Sequence, residues 1–303
     1  MSLIQRKRTK LGFALQNSEG EDITAAGSFT VWRLPEAESL SEDPAYSFLD
    51  WADGVQYQNH YLREVQSVSG SLTLWPIPGG SSDLIDWIIT RDSDGQGKWA
   101  TIAVEFVTTR RKFRDCKCAS ARLEFTGSGT PMWRMDVTGK FGDTGVDLTS
   151  EDAVTTTPYE KHESYIEMKT GGGAYATTNA VHNVTIEIDN QIESAGDGAT
   201  VNKQLYPQYL ANGIQLVTGT FDRRFIDAAV YNDFLNGQEA ALKIVCERSA
   251  VGTVTLELPR IVYTGQALHA GGDASQTIIE EGVPFTALSS ADGTTAPITI
   301  AET

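Results

Sequence analysis

No run of this 303-residue chain approaches 18 apolar residues, so no membrane-spanning helix is expected. Only three cysteines occur, Cys116, Cys118 and Cys246, an odd count that suits reduced thiols in a core better than a disulfide framework. Basic residues are scarce as well: 24 Lys plus Arg stand against 40 Asp plus Glu, a formal charge of −16. Affinity for nucleic acid comes mainly from neutralised phosphates, so this balance argues against tight binding and makes contact with DNA repulsive. Arg6, Lys7, Arg8 and Lys10 crowd the first ten positions without the apolar stretch of a secretion signal, and none is expected.

Signatures of catalysis are missing too. The chain has no Gly-x-Ser-x-Gly elbow, no Gly-x-x-x-x-Gly-Lys-[Ser/Thr] phosphate loop and no His-Glu-x-x-His, and Gly127-Ser128-Gly129 fails the rest of a dinucleotide fingerprint. Asp92-Ser93-Asp94-Gly95-Gln96-Gly97 has the look of a calcium loop, but its glycine order is wrong and position twelve, Ala103, is no carboxylate; a polar turn is expected. His60, His162, His182 and His269 stand far apart, without metal-ligand spacing among themselves or with Cys116-Lys117-Cys118. Asn183-Val184-Thr185 matches a glycosylation acceptor but lies in an expected strand. No catalytic residue, cofactor or metal site is expected.

What the chain has instead is one string of signals, present twice. In the first half Val65-Gln66-Ser67-Val68-Ser69-Gly70-Ser71-Leu72 precedes a Pro/Gly turn, a helical run over 83–89 and the strand-like Thr101-Ile102-Ala103-Val104-Glu105-Phe106-Val107. In the second, Ile214-Gln215-Leu216-Val217-Thr218-Gly219-Thr220-Phe221 leads to a helical run over 226–235 and then Ala241-Leu242-Lys243-Ile244-Val245-Cys246. Such a duplication suggests an assembly part, and the length suits two domains of about 150 residues, each able to bury its own core.

Strand signals dominate elsewhere. Phe29-Thr30-Val31-Trp32, Arg122-Leu123-Glu124-Phe125, Arg134-Met135-Asp136-Val137-Thr138, Val184-Thr185-Ile186-Glu187-Ile188 and Thr253-Val254-Thr255-Leu256-Glu257-Leu258 alternate as half-buried strands do. Ser82 or Asp83 can cap the first helical run, and Asp222 or Asp227 the second. Each half is thus expected to be mostly sheet with one helix. Trp75, Trp87, Trp99 and Trp133 fall on those strands or the helix, where large aromatics fill a core. Composition changes over 143–161, through Thr149-Ser150-Glu151-Asp152 and Thr155-Thr156-Thr157-Pro158, which predicts a linker between a first domain, 1–148, and a second, 149–303. Gly171-Gly172-Gly173 and Gly196-Asp197-Gly198 mark turns in the second.

Each half also carries a long polar and aromatic insert before its Val-[Ser/Thr]-Gly strand, over 34–60 and 190–212. The first contains Asp43-Pro44, Trp51 and Tyr57, the second Tyr206-Pro207-Gln208-Tyr209. Structureless connections beyond about 12–15 residues are uncommon in compact domains and usually functional or disordered. Aromatics in both favour a protein interface at Trp51, Tyr57, Tyr206 and Tyr209; a floppy surface loop is the plain alternative.

The first half orders a Val-[Ser/Thr]-Gly-[Ser/Thr] strand before a short helix, then Phe113-Arg114-Asp115-Cys116 leading into Ala121-Arg122-Leu123-Glu124-Phe125, and Val137-Thr138-Gly139-Lys140. The second half carries Val184-Thr185-Ile186-Glu187-Ile188-Asp189-Asn190, Gly213-Ile214-Gln215-Leu216-Val217-Thr218-Gly219-Thr220, Leu258-Pro259-Arg260-Ile261-Val262 and Gly282-Val283-Pro284-Phe285-Thr286-Ala287-Leu288. In these segments and their order the chain resembles the tail tube proteins of long-tailed bacteriophages. The resemblance covers nearly the whole chain through short apolar patterns, without one diagnostic residue.

The resemblance implies a mainly β protein of two tandem tail-tube-like β-sandwich or half-barrel domains, each with one short flanking helix. Their inner sheets would join around a ring into a barrel lumen, the long loops reaching the adjacent ring. Single-domain members form hexameric rings, so a tandem chain is expected to form a homotrimer with pseudo-six-fold symmetry, stacked into a tube. Its partners would be its own copies and other tail proteins such as tape measure, distal tail and terminator proteins. Double-stranded DNA would pass through without tight binding, past a lumen whose Asp and Glu repel phosphate; the alternative is that −16 merely reflects a soluble surface. The protein would reside in the phage tail after synthesis in the bacterial host cytoplasm. A tail hub or terminator ring protein and a carbohydrate-binding β-sandwich module are the rival readings.

Overall fold

The computed structural model describes residues 9–33, 39–43, 46–49, 60–63, 66–78, 80–106, 109–126, 129–148, 157–170, 173–195, 209–224, 229–249, 251–265, 267–269, 280–290, 293 and 295–303. The protein is mainly β, as expected. Its first half contains β1 (Thr9–Gln16), β2 (Thr30–Arg33), β3 (Ser41–Asp43), β4 (Tyr46–Leu49), β5 (His60–Arg63) and β6 (Ser67–Leu74). Helix α1 (Ser82–Ile89) follows, then β7 (Trp99–Phe106), β8 (Thr109–Thr126), β9 (Met132–Gly139) and β10 (Phe141–Thr144). The second half opens with β11 (Ser164–Thr170), β12 (Ala176–Thr177), β13 (Val181–Asp189), β14 (Ile192–Ala195), β15 (Tyr209–Asn212) and β16 (Leu216–Arg224). Helix α2 (Ala229–Leu235) precedes β17 (Glu239–Arg248), β18 (Gly252–Tyr263), β19 (Ala267–His269), β20 (Glu280–Ala287) and β21 (Thr299–Glu302).

The antiparallel pairings run in the same pattern through both halves. In the first, β1 pairs with β2 and β7, β3 with β6, β4 with β5, β6 with β9, and β8 with β7, β9 and β10. In the second, β11 pairs with β12 and β17, β13 with β16, β14 with β15, β16 with β20, and β18 with β17, β20 and β21. Among the described residues one pairing crosses between the halves: the C-terminal part of β8 lies against β13, from Ser120 opposite Asp189 to Thr126 opposite Asn183.

Strand β8 serves two sheets because it bends. Residues 109–116 pair with β7 and β10, while 117–126 pair with β9 and β13, and the registers slip at both transitions. At the bend Asp115 adopts φ 51°, and its carboxylate accepts hydrogen bonds from Gln16 Nε2 (3.0 Å) and the Gly20 amide (2.8 Å). Extra residues in one strand of a pair bend and twist it, and these two bonds hold the resulting left-handed residue in place.

Helix α1 buries Leu84, Ile85, Trp87 and Ile88; Trp87 donates to the Cys116 carbonyl at 3.1 Å and meets Phe13 edge-on at 5.3 Å. Its N-terminal end departs from the expectation of a Ser82 or Asp83 cap. The capping position is Ser81, whose hydroxyl turns back to the Ile77 carbonyl, and the Glu302 carboxylate accepts from the Gly80 and Ser81 amides at 3.0 and 2.9 Å. A carboxylate 221 residues away leaves no trace in local spacing. For α2, Asp222 is excluded as a cap because it lies in β16, where it accepts from Asn183 Nδ2; Asp227 lies outside the described residues.

One apolar cluster runs through both halves, from Leu11 and Trp87 to Leu256 and Ile298. Trp87 and Trp133 belong to it, whereas Trp75 is 37% exposed just past β6 and Trp99 is half-buried. The four tryptophans are thus not all core residues: Trp75 lies beyond the end of its strand, where the sheet no longer covers it. All three cysteines are free and buried, and burial pushes the Cys246 thiol up to about 11. Asp92 folds back as a polar turn, its carboxylate accepting from the Asp94 and Gln96 amides. Residues 149–156 of the expected linker lie outside the described residues; the flanking Leu148 and Tyr159 are fully buried. No helix among the described residues is long and apolar enough to cross a membrane.

Candidate assembly surfaces

The large sheet β6-β9-β8-β13-β16-β20 has one face in the core and one outside, because successive side chains of a strand point to opposite faces. Val184, Ile186 and Ile188 of β13 point inward, while Thr185, Glu187 and Asp189 point out. The outer face is rich in hydroxyls, with Ser69, Ser71, Ser120, Thr138, Thr185, Thr218, Thr220 and Thr286. Among the described residues its charged side chains are Glu124, Asp136, Glu187, Asp189 and Asp222 against Arg122, Arg134 and Arg224. Arg122 bridges across the seam between the halves, 2.7 Å from Glu124 and 3.2 Å from Glu187. Its charge is balanced locally by the two carboxylates.

Gly70 and Gly219, the glycines of the two Val-[Ser/Thr]-Gly strands, have one physical reason. A Cβ on Gly219 would lie 2.4 Å from the Phe285 ring and 2.5 Å from the Thr185 carbonyl oxygen. One on Gly70 would lie 2.5 Å from the Ser39 carbonyl oxygen, and its φ of 150° disfavours other residues. In both strands the glycine lets the neighbouring backbone approach, β13 in one case and the segment entering β3 in the other.

The inserts over 34–60 and 190–212 are not plain loops. Each carries a hairpin, β4 with β5 and β14 with β15, since the alternation at both ends allows pairing. The second hairpin is rooted on the first half of the chain at both feet. At one foot the buried Asn190 donates to the Ile88 and Cys118 carbonyls (3.0 and 2.9 Å) and accepts from Arg91 Nη2 (2.6 Å) and Gln215 Nε2 (3.1 Å). Its bond to Ile88 satisfies a carbonyl in the last turn of α1, which has no partner within the helix. At the other foot Lys117, 1% exposed, donates to Asn212 Oδ1 (2.7 Å) and Gln96 Oε1 (3.2 Å) and stands 4.3 Å from the centre of the Trp99 ring. Burial holds its ammonium down to about 8, with Arg91 and Lys140 adding repulsion and Glu19 and Asp92 opposing the shift.

A family model described as phage tail tube protein matches residues 7–296. The chain belongs to that family. Among curated proteins none matches significantly. A chain from the cryo-EM structure of the anti-feeding prophage (AFP) baseplate, 6-fold symmetrised, is similar at 9% identity and a TM-score of 0.34, over 48% of this chain and 97% of that one.

Of the contact residues expected from the sequence of this tail tube protein, Trp51, Tyr57 and Tyr206 lie outside the described residues. Tyr209 opens β15, its backbone opposite Ala195. Sequence reasoning missed the feet of the hairpin. The signal was a lysine between two cysteines on a strand, Cys116-Lys117-Cys118, where a buried cation calls for nearby acceptors; the partners Gln96 and Asn212 were too distant in sequence to assign. Among the described residues no group of three His, Cys, Asp or Glu is placed to hold a metal.

Proposed function

We propose that this protein is the major tail tube subunit, a structural and non-catalytic part of the virion. Three copies form a ring of six pseudo-equivalent units, 1–148 and 149–303 from each, and rings stack around the lumen through which phage DNA passes during ejection. The observation that carries the reading, beside family membership, is the pairing of β8 with β13, which continues the sheet of one half into that of the other. A sheet that propagates from unit to unit closes on itself in a ring and leaves no edge exposed.

The outer polar face of that sheet lines the lumen in this reading. Among the described residues of that face five carboxylates against three guanidiniums, one of the latter bridging to Glu124 and Glu187, repel phosphate on balance while hydroxyls keep the wall wetted. The two inserts, over 34–60 and 190–212 with the contact residues Trp51, Tyr57, Tyr206 and Tyr209, contact the adjacent ring. Synthesis in the bacterial host cytoplasm precedes assembly with the tape measure, distal tail and terminator proteins.

Negative-stain electron microscopy of the purified protein over a concentration series tests the reading. Hollow tubes of stacked three-fold rings are expected. Single rings that never stack would assign the chain to a hub or terminator instead, and monomers at every concentration would leave a ligand-binding module. Changing Glu124, Asp136, Glu187 and Asp189 to Lys in the phage should slow ejection; unchanged kinetics would remove the lumen assignment.

A further inference from the structure

We infer that β3 of one copy pairs antiparallel with β19 of the next, placing Ser41 opposite Ala267, in the register that β13 keeps with β8 inside each copy. The inference rests on the ring reading and names the contact that closes the ring.

The register follows from two glycines. Gly70 pairs with Val137 and Gly219 with Phe285, so these positions correspond. Three residues before Val137, Arg134 pairs with Arg122 on β8; three residues before Phe285, Gly282 pairs with Ala267 on β19. Ala267 therefore occupies the place of Arg122. On the other side, Ser69, just before Gly70, pairs with Ser41, and Thr218, just before Gly219, pairs with Glu187. Ser41 therefore occupies the place of Glu187. Inside the chain Glu187 lies opposite Arg122, which sets Ser41 of one copy opposite Ala267 of another.

Among the described residues both edges end a sheet: β19 pairs only with β20 and β3 only with β6, whereas β8 and β13 are flanked on both sides. Open edges recruit strands, and a head-to-tail contact of two different edges closes into a ring when its rotation allows. The helices supply a second, independent observation. Helix α1 contacts β21 of the other half and buries Leu84, Ile85, Trp87 and Ile88, with Ile89 partly buried, while α2 leaves Tyr231 43% and Leu235 60% exposed. The surface that would cover α2, by the same correspondence, belongs to the next copy. The occupant of both surfaces is therefore a second copy of this chain.

The test is disulfide trapping in assembled protein. Ser41→Cys with Ala267→Cys, mildly oxidised, should give covalent dimers and closed trimers on a non-reducing gel, at least tenfold above Ser39→Cys with Ala267→Cys. That control is offset by two residues, about 7–8 Å across a strand pair and too far for a disulfide. The pair Arg122→Cys with Glu187→Cys should cross-link within one chain only. The wild type serves as the blank, its three cysteines being buried. Tubes or rings without trapping between positions 41 and 267 would overturn the register and leave the ring reading standing; a protein that stays monomeric would overturn both. Amide exchange on unmodified protein gives a readout free of mutation: residues 267–269 should gain protection at least tenfold on assembly, and unchanged exchange in tubes would overturn the proposal.

Discussion

Asn212 Oδ1 accepts hydrogen bonds from Lys117 Nζ at 2.7 Å and from the Gly97 amide at 2.9 Å, so one side-chain oxygen fastens the second hairpin to the first half of the chain. The donor is a buried cation, and that makes the joint sensitive to pH.

Below pH 8 Lys117 is charged in both the folded and the unfolded chain, and its effect on stability is constant. Between about 8 and the ordinary value of 10.5 the unfolded chain holds a proton that the folded one has shed, so folding strengthens as pH rises. The urea midpoint of the wild type relative to Lys117→Met should therefore climb between pH 8 and 10. A constant difference over that range would show that Lys117 does not titrate there.

Gly219→Ala should lower stability by roughly 2 kcal/mol or more, since the added methyl meets the Phe285 ring and the Thr185 backbone. Gly70→Ala should cost a similar amount against the Ser39 and Leu40 backbone. Gly27→Ala, whose methyl would meet nothing within 4 Å, is the control and should fall within about 0.5 kcal/mol of wild type in urea titrations.

Arg248 holds the end of the linker through two 2.6 Å bonds to Glu163 and further bonds to the Thr157 and Pro158 carbonyls. The Arg248 hydrogen bond draws the Glu163 carboxyl down to about 2, with the Glu160 backbone and nearby charges helping against desolvation. A depressed carboxyl stabilises the fold above its unfolded value near 4.5 and loses that effect as pH falls toward 2. Arg248→Ala should cost about 2 kcal/mol at pH 7 and progressively less below pH 4, read from thermal melts across pH.

Glu302→Ala removes the acceptor for the Gly80 and Ser81 amides at the start of α1 and should cost about 1 kcal/mol. Amide exchange localises the effect: faster exchange at 80–85 is expected, and a change spread over the whole protein would contradict a local cap.

Much of the fold was legible in local patterns. The alternation in Arg134-Met135-Asp136-Val137-Thr138 located β9, and the helical run over 83–89 located α1, Ser82–Ile89. The candidate surfaces were less so. Strand alternation showed that Thr185, Glu187 and Asp189 share a face, but that Arg122 reaches Glu187 depends on which strand β8 adopts as its neighbour. Asn190 read as the start of a loop, although it is buried between Ile88 and Cys118.

By itself the sequence determined the periods: strands in two matching series, one short apolar helix in each half, a glycine at the same place in both series, and an acid-rich surface. These are properties of neighbouring residues, set by backbone geometry and the alternation of side chains. Only the tertiary structure decided that β8 bends to serve two sheets, that β13 takes its free edge, that Glu302 caps α1 and that Lys117 is buried under the second hairpin. The pairing of β8 with β13 joins residues at least 57 positions apart (Thr126 and Asn183) and the cap joins residues 222 apart, and their energies come from burial and hydrogen bonds that no local window contains.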